Sequence, residues 1–432
     1  MVRANAAKRF VAKRFTSFGP NKRNELARLF FEIAKREDAP LGSIAREMPQ
    51  AARKFRAVKS YLIARRYPAA SQMKKPVKPY FPELSVDPQY KVRIKKRPVL
   101  CPKNIFIEEG ASKSSVARCF RNFFPEARVR TIPSLKAHIQ EKRHTISDYN
   151  ARRDNFFIVK QRHDFFKRCP CTKGARSCGY HVFNLGYGCV YECTYCYLQE
   201  YTNSPGIIIP SNIDDFFKAF SAYRQDIRLG TGEFTDSLAL DHITEFSGQL
   251  IEFFKKHPKS TFEFKTKSDN IEKLLAARPG KNIVAAWSLN PQTVIDKNEF
   301  YTASLIERLT AAEKCVAAGS SVAFHFDPII MYEGWEKGYR DVVDLLFDTV
   351  SDKDIAWISL GTLRFSRRLK KVIENRFPDN TLLDGELLPG FDGKMRYERC
   401  MRGALYRKML QWIRRRNSKV STYLCMEDTR KV

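Results

Sequence analysis

The chain has 432 residues, eleven cysteines, 43% hydrophobic residues and a formal net charge of +30. That length favours two or three domains over one small core; no apolar run reaches the eighteen residues of a membrane span, and the basic N-terminus lacks the apolar stretch of a secretory signal. An odd number of cysteines in so large a chain points to metal sites and unbridged thiols in a reducing compartment, the cytoplasm, and the charge points to a polyanionic partner, nucleic acid before acidic lipid.

Residues 1–80 carry 20 Lys/Arg against 5 Asp/Glu, and 1–75 read as a basic helical extension. Apolar residues recur at helical spacing from Asn24 to Lys35, with Asn24 as a candidate cap. A short helix at 41–48 and a third from Ala51 to Arg66 follow. Basic helix faces of this kind suit phosphate contact, since nothing identifies a recognition helix. Five prolines between 68 and 90 mark a linker, taken as 76–100. Residues 101–167 then alternate strand-like and helical runs (104–108, 114–124, 127–132, 135–142, 155–160), which predicts a small βαβαβ module with a parallel sheet.

Cys169, Cys171 and Cys178 come next, in a C-x-C-x6-C pattern that either holds a second metal or braces the loop beside the main motif. That motif is Cys189, Cys193 and Cys196, spaced C-x3-C-x2-C, with Gly186 and Gly188 before it and aromatics around it. Iron–sulfur clusters are held by thiolates; three ligands on a four-iron cube leave one iron open, and an open position marks a reactive site. A zinc knuckle would need a fourth ligand close by, and none follows within forty residues.

From residue 180, six strand-like runs (181–185, 226–234, 261–267, 282–290, 321–330, 354–363) alternate with amphipathic helices. Six βα units predict an α/β fold, an open (β/α)6 barrel, within a core spanning 168–393. Reactive residues of such barrels lie at the C-terminal ends of strands. Here those ends carry Gly230-Thr231-Gly232-Glu233, Lys267 and Ser288-Leu289-Asn290. Residues 394–432 read as a basic helix and a strand that closes the open side.

The cysteine spacing and Tyr195 beside it resemble the radical S-adenosylmethionine (SAM) superfamily. The resemblance implies a [4Fe-4S] cluster on Cys189, Cys193 and Cys196 whose open iron takes S-adenosyl-L-methionine. It also implies reductive cleavage to a 5′-deoxyadenosyl radical, with an electron from an external donor such as a flavodoxin or ferredoxin. Tyr195 would lie beside the adenine, Gly232 and Glu233 at the amino group, Lys267 at the carboxylate, and Ser288 and Asn290 at ribose or carboxylate. Within the superfamily, Cys193-Thr194-Tyr195-Cys196-Tyr197-Leu198-Gln199 is similar to the spore photoproduct lyase family, enzymes that repair thymine dimers in DNA. Further matches are Thr266-Lys267, Ser288-x-Asn290, Pro328 with 333–339, Arg364-Phe365 and 372–378, so the resemblance covers about 100–380.

It implies a lyase-type enzyme acting on a nucleic-acid base, DNA before RNA, with the base flipped out of the duplex. One position departs: Glu233 stands where the family has a cysteine that returns hydrogen to the substrate radical. A carboxyl O–H is too strong a bond for that role, which leaves a phenol or a thiol, Tyr197 or Cys425. Two other readings stay open. One is a nucleic-acid-binding protein with a structural or redox-sensing cluster; the other is a radical SAM enzyme on a different substrate class.

Overall fold

The computed structural model describes residues 3–427 apart from 51–53, 74–75, 95–98, 140–143, 163–164, 173, 176–177, 202–203 and 224. The chain divides into two compact units, one of 1–92 with 363–402, the other of 93–362 with 403–432. Among the described residues no helix is long and apolar enough to cross a membrane.

In the first unit, helices Ala4–Arg14, Pro20–Glu37 and Phe55–Arg66 bury Val11, Leu26, Phe30, Ile33, Val58 and Leu62. Proline's fixed φ and missing N–H suit a first turn, so the second helix starts at Pro20 and Asn24 lies inside it, not at its cap. The third expected helix begins at Phe55; residues 51–53 lie outside the described set. Residues 76–92, read as linker, belong to this unit. Leu84 is buried, Phe81 and Val86 pack on the helical core, and Arg28 donates to the carbonyls of Pro82 (3.1 Å) and Glu83 (2.9 Å). Prolines hold that strip extended, and an extended strip can cover a helix face.

Residues 363–393, expected in the barrel core, also cluster with 1–92. Helix Arg367–Arg376, capped by Ser366, brings Lys370 and Glu374 into a buried charge network with the N-terminal helices. Its pairs are Arg28–Glu374 (2.6 Å), Arg66–Glu32 (2.9 Å), Lys370–Glu32 (2.9 Å) and Lys370–Glu374 (2.8 Å). Part of the basic excess is therefore matched inside this unit.

The second unit holds two largely parallel sheets. Strands Asn104–Glu108, Arg128–Ile132 and Asn155–Val159 form the expected small sheet. A fourth parallel strand, Ile207–Pro210, pairs with Asn155–Val159. Three isoleucines after a glycine are too short a run to show periodicity. Of the helix read at 135–142, Leu135–Ile139 is present, and 140–143 lie outside the described residues.

The larger sheet contains all six strands of the predicted barrel, side by side in chain order and parallel: His181–Phe183, Arg228–Gly230, Thr261–Thr266, Ile283–Ser288, Ser321–Ile329 and Ile355–Thr362. Buried parallel strands read as continuous apolar runs, and every residue of Ile283–Ser288 is buried. Phe166–Arg168 adds antiparallel at one edge, and Thr422–Leu424 adds parallel at the other. The fold is an open, curled α/β half-barrel. Helix Leu305–Ala317 shows its helix logic: a Ser304/Glu307 capping box opens it, and Gly319, at φ +98°, stands just beyond its end.

Candidate active site

The cysteine loop leaves the strand His181–Phe183 and ends in the short helix Leu198–Tyr201. Gly188 takes φ +94°, a conformation side chains disfavour, and its N–H donates to the Phe234 carbonyl at 2.8 Å. Glu192–Cys193 then pairs antiparallel with Glu299–Phe300. Three clamps hold the loop's backbone. The buried Arg152 guanidinium donates to the carbonyls of Cys189 (3.0 Å) and Tyr191 (2.6 Å) and pairs with Glu192 at 2.8 Å. The Gln199 amide donates to the carbonyls of Cys193 (3.2 Å), Thr194 (2.9 Å) and Cys196 (3.0 Å). Thr194 bonds Asn298 through both its N–H (2.9 Å) and its hydroxyl (2.8 Å).

Burial pushes the Cys189 thiol up to about 12, and Cys193 and Cys196 up as well. Lys267 pulls Cys193 and Cys196 back down, and Arg152 does so for Cys189 and Cys196. Metal ligation needs thiolates, and the Lys267 and Arg152 cations beside these three thiols favour that form. Among the described residues no three His, Cys, Asp or Glu side chains surround a single-ion position. Three thiols on one short loop with its backbone clamped fit the ligand set of an iron–sulfur cluster.

The strand ends supply the next layer. Gly232 has φ +101°, and a Cβ there would meet the Lys265 carbonyl at 3.1 Å. Lys267 is half-buried; desolvation opposes its charge, but Glu299 and Cys193 outweigh it and hold its ammonium above the ordinary range. Its Nζ lies 5.9 Å from the Tyr195 ring centre. Tyr195 donates its hydroxyl to Glu299 Oε1, and Asn290 donates to the same oxygen at 2.8 Å. Tyr339 donates to Asn290 Oδ1 at 2.6 Å. Arg308 closes the group, pairing with Glu299 at 2.7 Å and donating to the Ser288 carbonyl at 2.8 Å.

The structure thus gathers Tyr195, Lys267, Ser288 and Asn290 around a Glu299–Arg308 pair that the sequence reading missed. Arg152, Glu192 and Tyr339 were missed with them. Glu233 faces other partners: Asn184 donates to its Oε2 at 3.3 Å, Lys167 lies 3.5 Å from the same oxygen, and its backbone carbonyl accepts from Tyr197. The Tyr197 side chain is 40% exposed. Cys425 follows the last strand, its N–H bonded to the Leu360 carbonyl at 2.8 Å. Cys169 and Cys171 are partly buried and Cys178 is exposed.

The spore photoproduct lyase family profile matches residues 102–398. A spore photoproduct lyase from Geobacillus sp. (strain Y412MC61) is 31% identical over 210 residues, covering 47% of this chain and 62% of that protein. The Bacillus subtilis (strain 168) spore photoproduct lyase is 27% identical over 299 residues, covering 66% of this chain and 85% of that protein. A solved spore photoproduct lyase variant with bound AdoMet and dinucleoside spore photoproduct superposes with a TM-score of 0.65 at 25% identity, over 76% of this chain and 100% of that one.

Proposed function

The chain belongs to the spore photoproduct lyase family, and from that premise we propose that it is a radical SAM enzyme that repairs a photolesion in DNA. The observation that carries this reading is the pairing of a clamped three-cysteine loop with a Tyr195–Lys267–Asn290–Glu299 group at the strand ends. A family relative that binds AdoMet and a dinucleoside spore photoproduct supports it. Cys189, Cys193 and Cys196 would hold the cluster, which would supply one-electron reduction of SAM.

This chain's residues then have defined tasks. Arg152 and Gln199 fix the loop carbonyls, so the thiols keep one arrangement. Lys267 presents a half-buried ammonium to a carboxylate, a charge-assisted contact. Tyr195, tied down through Glu299, offers a fixed ring face for adenine stacking. Ser288 and Asn290 present a hydroxyl and an amide to the ribose or carboxylate, and Gly232 leaves room for close backbone approach. Glu233 is the weakest member of this set, because Lys167 and Asn184 already engage its carboxylate. The remaining assignments follow the same reading. The compartment is the cytoplasm, in keeping with eleven unbridged cysteines, the nucleic acid is DNA, and the electron comes from a flavodoxin- or ferredoxin-type donor.

Anaerobic reconstitution tests this. The protein should take up about four irons per chain, and the reduced cluster's EPR signal should change when SAM is added. Cys189→Ala, Cys193→Ala and Cys196→Ala should each abolish both. A SAM-responsive signal surviving in all three variants overturns the ligand assignment.

A further inference from the structure

The cysteine loop and the loop after the strand Arg228–Gly230 share an unbroken row of aromatic rings. Tyr187 stacks on Phe234, with ring centres 5.5 Å apart and planes at 30°. Tyr197 stands edge-on to Phe234 at 6.5 Å, and Tyr201 stands edge-on to Tyr197 at 5.7 Å. The row is anchored at the end nearest the first ligand: Gly188, between Tyr187 and Cys189, donates its N–H to the Phe234 carbonyl at 2.8 Å. From there it leads away to the last residue of the helix Leu198–Tyr201.

Exposure rises along the row. Tyr187 and Phe234 are half-buried, Tyr197 is 40% exposed and Tyr201 60%. Taking apolar ring area out of water is favourable, so neighbouring rings left in solvent beside a reactive centre mark a surface that meets a partner. A cation flanks them. Lys167 holds its Nζ 5.3 Å from the Phe234 ring centre, and its side chain is 46% exposed. It pairs with Glu233 at 3.5 Å, but an ion pair open to water on its cationic side contributes little, so the ammonium is available to a phosphate. Successive aromatic rings with a cation alongside are how proteins hold unpaired nucleic-acid strands: bases stack on the rings whatever their identity, and the cation meets the backbone.

We propose that Tyr201, backed edge-on by Tyr197, is a stacking subsite for an unpaired base beside the lesion, with Lys167 on a phosphate of the same DNA strand. The proposal rests on the DNA reading above and adds where the strand lies. Extruding a lesion from a duplex breaks the stacking of its neighbours; a ring at the rim of the site replaces part of what they lose. Because every base has a flat face, the subsite holds the strand without reading its sequence.

Binding of single strands to the full-length reconstituted protein, followed by anaerobic fluorescence anisotropy without SAM or reductant, tests it. The probes are a twelve-residue oligothymidylate and a strand of the same length whose central nucleotides are abasic, which keeps the phosphates and removes the bases. The wild type should prefer the first at least tenfold. Tyr201→Ala and Tyr201→Leu should lose that preference, while Tyr201→Phe and Tyr201→Trp keep it; the leucine variant separates loss of a ring from loss of apolar packing. The salt dependence should be the same in Tyr201→Ala as in the wild type, since stacking releases no counterions, and Lys167→Gln should lower its log–log slope by about 0.7 for the one phosphate lost. Equal binding of the two probes by the wild type, or a preference that survives in Tyr201→Leu, overturns the subsite. A slope that falls in Tyr201→Ala as it does in Lys167→Gln also overturns it, because the ring would then act by placing charge. Absence of binding to either probe and to duplex DNA at low salt overturns the DNA reading beneath it.

Discussion

Arg152 shows what a single residue does for this site. Its guanidinium is fully buried, meets Glu192, and holds two carbonyls of the cysteine loop. Arg152→Met should take the guanidinium away from the buried Glu192 carboxylate, at a cost of about 3–5 kcal/mol. Urea unfolding should report that cost, and reconstituted iron content should fall with it; Arg152→Lys, a point charge without the planar fork, should recover only part. An unchanged iron content in Arg152→Met would show that the loop does not depend on this clamp. Lys267→Met should weaken SAM binding at least tenfold, about 1.4 kcal/mol, in a titration of the apo or reconstituted protein. Spacing made Cys189, Cys193 and Cys196 legible in the sequence, and phase with the barrel made Lys267, Ser288 and Asn290 legible. Arg152 and Glu299 were not, because their meaning comes from partners that only the fold brings near: Glu192 lies 40 residues from Arg152.

Among elements, the helices Pro20–Glu37 and Arg367–Arg376 depend on one buried charge network. Burial raises the Glu32 carboxyl, but Lys370, Arg66 and Arg28 outweigh it and bring it from 4.5 to about 2. A carboxylate held below its unfolded value contributes stability above that value and loses it on acidification. The first unit should therefore lose stability as pH falls from about 4.5 toward 2, by the urea midpoint of its unfolding transition. Lys370→Met should move the loss to higher pH, since a main opposing charge is gone; an identical pH profile would mean the network adds nothing. Long, periodic strands were legible at this scale. The edge strand Phe166–Arg168 and the inserted Ile207–Pro210 are three and four residues long, too short for a two-residue period to declare itself, whereas the tail strand Thr422–Leu424 was expected. The proline-rich strip at 76–92 misled for a related reason: composition reports that it is extended, not that its own Leu84 is buried against the helices.

For the whole molecule, the +30 charge remains the broadest statement about partners. The N-terminal helices do not offer all their cations to a ligand, since Arg28 and Arg66 are buried in ion pairs. Arg9, Lys13, Lys22, Arg46, Lys54 and Arg56 are exposed. Replacing those six by Gln should weaken DNA binding and flatten its dependence on salt, by about 0.9 in log–log slope for each phosphate no longer neutralised. An unchanged slope would assign the exposed cations to some other task.

The central claim is that this barrel generates a radical and spends it on a DNA lesion. Its most direct test is anaerobic turnover of the reconstituted protein with SAM, a low-potential reductant, and DNA carrying the spore photoproduct, followed by mass spectrometry of nucleosides. The account predicts 5′-deoxyadenosine and restored thymine together, both abolished in the Cys189→Ala/Cys193→Ala/Cys196→Ala variant. 5′-Deoxyadenosine formed equally with lesion-free DNA, and no restored thymine, would contradict it.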